Sequence, residues 1–295
     1  MAETILQTIA EYARLRVKEA KRSIPLEEMK QKAFAERDRQ RGEGRADFRF
    51  EEALREPGIR FICECKKASP SRGMIAEEFP YVEIARSYEE AGAACISVLT
   101  EPRWFLGENR YLEEIGRAVT IPCLRKDFTV DEYMLYEAKA LGASAALLIC
   151  SLLDEETLKR YMGICGELGM SALVEAHDEG EIEMALAAEA RVIGVNNRNL
   201  KDFTVDLGNC ARLRRLVPEE VLFVAESGIR GPEEVRELKK MGVNGVLIGE
   251  ALMRAKDKKA MLKELRGEKS GDSARDGGRN SSGDETGDGE HGSSN

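Results

Sequence analysis

From Arg60 onward the chain repeats one pattern. A short apolar run closes on polar residues, a polar loop follows, and an amphipathic stretch with helical spacing completes the unit. The runs are Arg60–Cys65, Ala94–Leu99, Ile121–Arg125, Ala145–Ile149, Ala172–Glu175, Val192–Val195, Leu222–Ala225 and Gly245–Ile248. The helical stretches are Val82–Ala91, Arg110–Ala118, Asp131–Leu141, Glu155–Leu168, Glu179–Ala188, Leu207–Leu216, Pro232–Met241 and Lys256–Leu265. Asp131 and Asp154 stand where N-caps belong, Pro232 suits a first helical turn, and Gly92, Gly142, Gly169 and Gly242 stand where helices should stop. Strands apolar on both faces, alternating with helices, specify a parallel sheet covered by helices. Eight such units at a regular period predict an α/β protein whose residues 48–266 form a (β/α)8 TIM barrel. A doubly wound open sheet is the alternative. It is disfavoured because no G-x-G-x-x-G follows the first run and the period continues to the end.

Residues 1–47 predict a helical N-terminal extension. Ile5, Ile9, Tyr12, Leu15 and Val17 form an approximate stripe, Pro25 interrupts it, and Leu26, Met29 and Ala33 begin a second, short helix. The extension is expected to cap one end of the barrel, with a lid over the active site as the alternative. Residues 48–58 hold another short helical piece, closed by Pro57-Gly58. Residues 267–295 are Gly, Ser and charged residues without an apolar run, and are expected to be a disordered, mildly acidic and inert tail.

Composition narrows the function classes. With 42% hydrophobic and 34% charged residues among 295, the chain can build one large core. A net charge of −9 argues against nucleic acid as a partner, and an anionic ligand would have to be met by local cations and backbone N–H groups. No apolar stretch is long enough to cross a membrane, and the N-terminus carries no secretory pattern. The seven cysteines mostly sit inside apolar runs, and Cys63-Glu-Cys65 has the wrong spacing for a redox pair. Free, buried thiols in a reducing, cytoplasmic setting are expected. No His/Cys cluster points to a metal site.

The chemistry gathers at the carboxyl ends of the runs, where a barrel of this kind holds its active site. Glu64 and Lys66 are two apart, so on a strand they share a face, and Ser69-Pro70-Ser71 then turns the chain. The third run ends Arg125-Lys126-Asp127-Phe128, the fifth Glu175-Ala176-His177, the sixth Asn196-Asn197-Arg198, and the seventh Glu226-Ser227-Gly228. One charged end would be a surface ion pair. Five around one ring predict a shared pocket. Ser227-Gly228 and Gly249 suit a phosphate grip at the seventh and eighth loops, and Ser69 can add a hydroxyl. Only two histidines are present, and His291 lies in the tail. His177 is expected beside the site rather than as ligand or base. Acid–base work therefore falls to Lys and Glu.

Six motifs in order make the likeness specific: Glu64–Ser71, Leu99–Gly107, Arg125–Phe128, Val174–His177, Gly194–Leu200 and Ala225–Ile229. From about Ile5 to Leu265 the chain resembles the indole-3-glycerol phosphate synthase family. The resemblance implies ring closure, decarboxylation and dehydration of 1-(2-carboxyphenylamino)-1-deoxyribulose 5-phosphate, without a cofactor, in tryptophan biosynthesis. It implies that Lys126 is a general acid and Glu175 its acid/base partner, with Glu64 and Lys66 beside them and protonation shared between Lys66 and Lys126. Asn196 and Glu226 would contact substrate hydroxyls and position the charged groups. Arg198 would face the anthranilate carboxylate. Ser69, Ser227, Gly228 and Gly249 would hold the phosphate, and Phe105, Phe128, Leu147 and Leu200 would wall the aromatic ring. Trp104 departs from a frequent Tyr and should keep the wall aromatic. The partner is a small phosphorylated substrate, and no motif speaks for or against docking to other tryptophan-pathway enzymes. Rival readings are another phosphate-binding barrel enzyme such as phosphoribosylanthranilate isomerase, a Schiff-base aldolase, and a non-catalytic sensor of a phosphorylated ligand.

Overall fold

A computed structural model describes residues 4–198 and 204–268. Leu200, and the expected tail beyond Glu268, lie outside the described residues. In chain order the elements are α1 (Ile5–Ser23), α2 (Leu26–Gly42), α3 (Arg49–Arg55), β1 (Arg60–Cys65), a hairpin of β2 (Ala68–Ser69) and β3 (Gly73–Met74), α4 (Tyr81–Glu90), β4 (Cys95–Leu99), α5 (Asn109–Ala118), β5 (Cys123–Lys126), α6 (Tyr133–Ala140), β6 (Ala145–Ile149), a 3-10 turn (Cys150–Leu152) and α7 (Glu155–Glu167). Then follow β7 (Ser171–Ala176), α8 (Glu179–Ala187), β8 (Val192–Asn196), α9 (Leu207–Arg214), β9 (Leu222–Glu226), α10 (Pro232–Lys240), β10 (Gly245–Ile248), α11 (Glu250–Arg254) and α12 (Lys258–Leu265).

Eight strands close into a barrel in the order β1-β10-β9-β8-β7-β6-β5-β4, and β1 pairs β4 to seal it. All the pairings are parallel. Alternation along each strand sends one set of side chains inward and the other to the helix layer. Ile62, Leu124, Leu147, Leu173, Val192, Val224 and Leu247 pack in the inner cluster. Cys63 and Cys65 belong to the outer one, against helices. Glu64 between them therefore points inward, and the two cysteines serve as small apolar packing residues. All seven cysteines are buried and free.

Helix ends follow local chemistry. Asp154 accepts the N–H of Thr157, and Gly92, Gly142, Gly169 and Gly242 all take positive φ at the closing turns. Asp131 departs from its expected N-cap role. The helix starts later, at Tyr133, and the Asp131 carboxylate accepts the Tyr133 N–H at 2.9 Å while pairing with Lys21 at 2.8 Å.

Helices ahead of the first strand close both ends of the barrel. At the amino end, α3 inserts Phe50 and Leu54 into the inner cluster. Gly245 makes room for this, since a Cβ there would lie 2.8 Å from Leu54 Cδ2. Helix α2 runs 17 residues, longer than the short helix expected, and lies along α6, with Phe34 and Tyr136 ring centroids 6.3 Å apart. Helix α1 opens with a reciprocal Thr4–Gln7 capping box and buries Ile9, Ala10, Ala13 and Val17. Leu15 does not belong to that stripe. It lies about 200° around the helix from Ala13 and is 64% exposed.

Candidate active site

The carboxyl ends of the strands open into one cavity of about 640 Å³. Every residue expected at the site that lies among the described residues lines it: Glu64, Lys66, Ser69, Phe105, Lys126, Phe128, Leu147, Glu175, Asn196, Arg198, Glu226, Ser227, Gly228 and Gly249. Leu200 lies outside the described residues. Strand register makes the convergence. Asn196 on β8 pairs with Glu226 on β9, and Glu175 on β7 pairs with Gly194, two residues earlier on β8, so the stagger of the closed barrel brings Glu175 and Glu226 to one level.

Lys126 occupies the centre. Its Nζ donates at 2.8 Å to Glu175 Oε2 and at 2.8 Å to Glu226 Oε2. Burial alone would lower the ammonium's pKa. The charges of Glu175, Glu226 and Glu64 outweigh it and hold the pKa above its ordinary value. The two carboxylates move apart. Burial raises both, but Lys126 and the His177 imidazole pull Glu175 well below the usual carboxylate range. Glu226 is pushed up to about 7 by burial and the neighbouring Glu175 charge, against the opposing pull of Lys126. Two carboxyls on one ammonium leave room for one shared proton near neutral pH.

A second pair sits beside the first. Lys66 Nζ lies 2.5 Å from Glu64 Oε2, and both side chains are largely buried. Two glycines accommodate these carboxylates. A Cβ on Gly249 would lie 2.4 Å from Glu64 Oε2, and one on Gly194 would lie 2.4 Å from Glu226 Oε1. Gly249 thus serves the Glu64–Lys66 ion pair as well as the turn into α11.

One wall is apolar. Phe105 and Phe128 stand with ring centroids 6.0 Å apart, with Leu147 and Ile149 beside them. Sequence reasoning missed what aims Phe105. The buried Glu101 carboxylate accepts the backbone N–H of Arg103 at 2.9 Å, of Trp104 at 2.7 Å and of Phe105 at 3.0 Å. Leu106 takes φ 51° at the same turn, a conformation that costs a branched residue energy and marks a tightly determined loop. Trp104 does not add to the wall. It packs edge-on against Tyr12 of α1, with centroids 5.6 Å apart.

The opposite wall is polar. Ser227 and Gly228 take φ 65° and 84° in succession, and Asn197 Nδ2 holds the turn by donating to the carbonyls of Glu226 at 3.2 Å and Ser227 at 3.3 Å. Ser69 Oγ and Ser71 Oγ are 3.5 Å apart across the cavity rim. Arg72, Arg230 and Arg254 also line the cavity, with Glu250 pairing to Arg72 at 3.2 Å and Arg254 at 3.4 Å. Burial pulls the Arg198 guanidinium below its ordinary value, Glu250 opposes this, and Arg72 and Arg230 add to it. Sequence reasoning did not single out these three arginines. The one signal was Arg72, two residues beyond Pro70.

Helix α1 roofs the cavity with Ile5, Leu6 and Ile9. The extension therefore covers the active site, the alternative to the cap expected of it. The cover is tied down next to Lys126. Arg16 grips the fully buried Asp127 carboxylate through two hydrogen bonds of 3.1 and 2.7 Å. Arg16→Ala is expected to lower stability by about 1–3 kcal/mol, because it leaves a buried carboxylate short of a partner. It should also raise KM more than it lowers kcat, and urea denaturation with steady-state kinetics reads both. An unchanged KM would separate the helix from substrate binding.

The comparisons with known proteins agree with this geometry. A family profile described as indole-3-glycerol phosphate synthase matches residues 6–265. The chain is 50% identical over 263 residues to the indole-3-glycerol phosphate synthase of Ruminiclostridium cellulolyticum, covering 89% of this chain and 99% of that protein. It is 52% identical over 268 residues to that of Lachnoclostridium phytofermentans, covering 89% and 98%. Among solved structures, a 3-hexulose-6-phosphate synthase matches with a TM-score of 0.58 at 16% identity, over 71% of this chain and 99% of that one. A thiamine phosphate pyrophosphorylase from Pyrococcus furiosus matches at 0.53 and 21%, over 71% and 94%. At such identities these two speak for the barrel alone. No helix among the described residues is long and apolar enough to cross a membrane.

Proposed function

We infer the division of labour in this cavity from one premise: the chain belongs to the indole-3-glycerol phosphate synthase family. It converts 1-(2-carboxyphenylamino)-1-deoxyribulose 5-phosphate to indole-3-glycerol phosphate, carbon dioxide and water, as a carboxy-lyase of tryptophan biosynthesis. The observation that carries the assignment of roles is the Lys126 ammonium, held between Glu175 and Glu226 at 2.8 Å each.

The chemistry asks for these groups in sequence. The ring carbon bearing the carboxylate attacks the sugar's carbonyl carbon, and the carbonyl oxygen must receive a proton as the new bond forms. A positioned ammonium supplies it, which assigns Lys126, with Lys66 as the neighbouring donor. Carbon dioxide then leaves, and the electron pair of the broken bond returns to the ring. Finally the new hydroxyl departs as water while a carbon-bound proton is removed. That step needs an acid on one side and a base on the other. Glu175 is the base, because its environment favours the anion. Glu226 and Asn196 hold the hydroxyls and the charged groups in register.

The two walls orient the substrate. The Phe105–Phe128 face takes the aromatic ring. The Ser227-Gly228 turn, Gly249 and Ser69 take the phosphate, with Arg72 and Arg230 at the same rim. Arg198 faces the ring carboxylate. A trapped ring rotates poorly, so the attacking carbon stays close to the carbonyl.

Incubating the purified full-length chain with the substrate should give indole fluorescence without any added cofactor, at a rate unchanged by EDTA. Binding without indole formation would favour a sensor. A borohydride-trapped adduct on Lys66 or Lys126 would favour Schiff-base chemistry.

A further inference from the structure

His177 was expected beside the site without a task. The geometry gives it one. Its Nδ1 lies 3.0 Å from Glu181 Oε2, and the same oxygen accepts the His177 backbone N–H at 2.7 Å. Its Nε2, without a hydrogen-bond partner among the described residues, faces Glu175 Oε1 at 3.4 Å. Helix α9 pins the backbone, since Asn209 Nδ2 donates to the His177 carbonyl at 3.1 Å. Glu181 is itself fixed in the first turn of α8, its N–H donating to Asp178 Oδ1 at 3.0 Å. An imidazole between two carboxylates can donate from both nitrogens only as the imidazolium.

We propose that His177, clamped by Glu181, is a positioning residue: it stands as a second cation on Glu175, keeping that carboxylate ionised and directing the proton shared by the buried pair onto Glu226. The inference rests on the acid–base reading given above and deepens it.

The asymmetry of the pair supports it. Toward Lys126 the two carboxylates are alike. On their far sides they differ. Glu175 Oε1 meets His177 and, at 3.4 Å, Asn196 Nδ2. Glu226 Oε1 is buried without a hydrogen-bond partner among the described residues. A bare, buried carboxylate oxygen is costly as part of an anion and far less so as part of a neutral carboxyl. The other groups facing His177 do not oppose the assignment. Asp178 at the N-cap of α8 and Glu181 on α8 are acidic, and Asn209 on α9 is neutral. The Cys150 thiol on the 3-10 turn donates to the Glu181 carbonyl and is pushed up to about 12 by burial and by the acids around it. Lys126 is the cation across the cavity. Burial pulls the imidazolium down, but Glu175 and Glu181 outweigh it and lift His177 to about 10.

The test uses the full-length enzyme and the pH dependence of kcat/KM. The acid limb reports protonation of the base. Taking a cation away from Glu175 makes its anion less stable, so its pKa rises and the limb moves to higher pH. His177→Gln is expected to move it up by about one unit or more, with KM changed less than threefold, whereas Glu181→Gln, which leaves His177 cationic at the pH of the limb, should move it little. Imidazole 15N spectra of His291→Gln, which leaves a single histidine, should show His177 protonated up to about pH 9, and titrating lower once Glu181→Gln is added. An acid limb unmoved in a folded His177→Gln overturns the proposal. So does a His177 that titrates at its ordinary value of 6.5, even if the kinetic variants fail to fold. A wild-type enzyme that forms no indole product would overturn the functional reading instead, and the spectra would still decide the clamp.

Discussion

Replacing Lys126 with alanine is expected to lower kcat by about 10²–10⁴-fold, the usual loss for a positioned general acid, with a much smaller change in KM. The substrate's ring and phosphate are held by walls that Lys126 does not build, so binding should survive. What disappears is the side chain that, among the described residues, bonds both Glu175 and Glu226. Left alone, two buried carboxylates cannot both stay ionised. The pair should take up a proton rather than unfold the barrel, just as Glu226 already sits near 7 beside its ionised neighbour. The variant should therefore keep its circular dichroism spectrum and a cooperative melt while losing turnover. Lys126→Met, which keeps the length of the side chain, should behave alike. Turnover within tenfold of wild type in either variant would take the ammonium out of the chemistry and leave Lys66 as the donor.

Much of this site was legible in the sequence because barrel strands are buried on both faces. Such strands appear as unbroken apolar runs, so a polar residue at a run's end marks the mouth. Glu64, Lys126, Glu175 and Glu226 all stood out in this way, and strand ends shifted by only one or two residues, as at Ala176 and Asn196. At the end of the third run only Lys126 reaches the two carboxylates. Arg125 and Asp127 flank Lys126, but alternation turns them away from its contacts. Arg125 is buried against Glu137 and Met134, and Asp127 against Arg16 and Thr100.

Short or distant features were not legible. The two-residue strands β2 and β3 are too brief to show a period. The tie from Arg16 to Asp127 spans 111 positions, which no local pattern encodes. Leu15 was assigned by hydrophobicity where helix phase should have decided. Helix α1 roofs the cavity through Ile5, Leu6 and Ile9, and sequence alone gives the amphipathic face without the surface it will meet. Glu101 lay inside a recognised motif, yet its three hydrogen bonds to the Phe105 loop depend on a turn that hydropathy does not mark.

Replacing Glu175 with glutamine isolates charge from shape. Glutamine has nearly the same volume, and its carbonyl oxygen can still accept from Lys126, so the barrel should melt as a cooperative unit. Three consequences of lost charge follow together. The base of the dehydration step is gone, and kcat is expected to fall by about 10²–10⁴-fold. Of the three carboxylates that raise its pKa, Lys126 loses the one with the largest effect, so the ammonium becomes easier to deprotonate. Glu226 loses the negative neighbour that helps raise it, so its pKa should fall below about 7. The residual activity of Glu175→Gln should then lose the wild-type acid limb, because the group that had to be ionised no longer titrates. Rapid-quench single turnovers from pH 9 down to the acid limb of the wild type read these effects without interference from product release. If the variant instead kept both its rate and its acid limb, the ionised group would have to be Glu226 or Glu64, and Glu175 would only position Lys126.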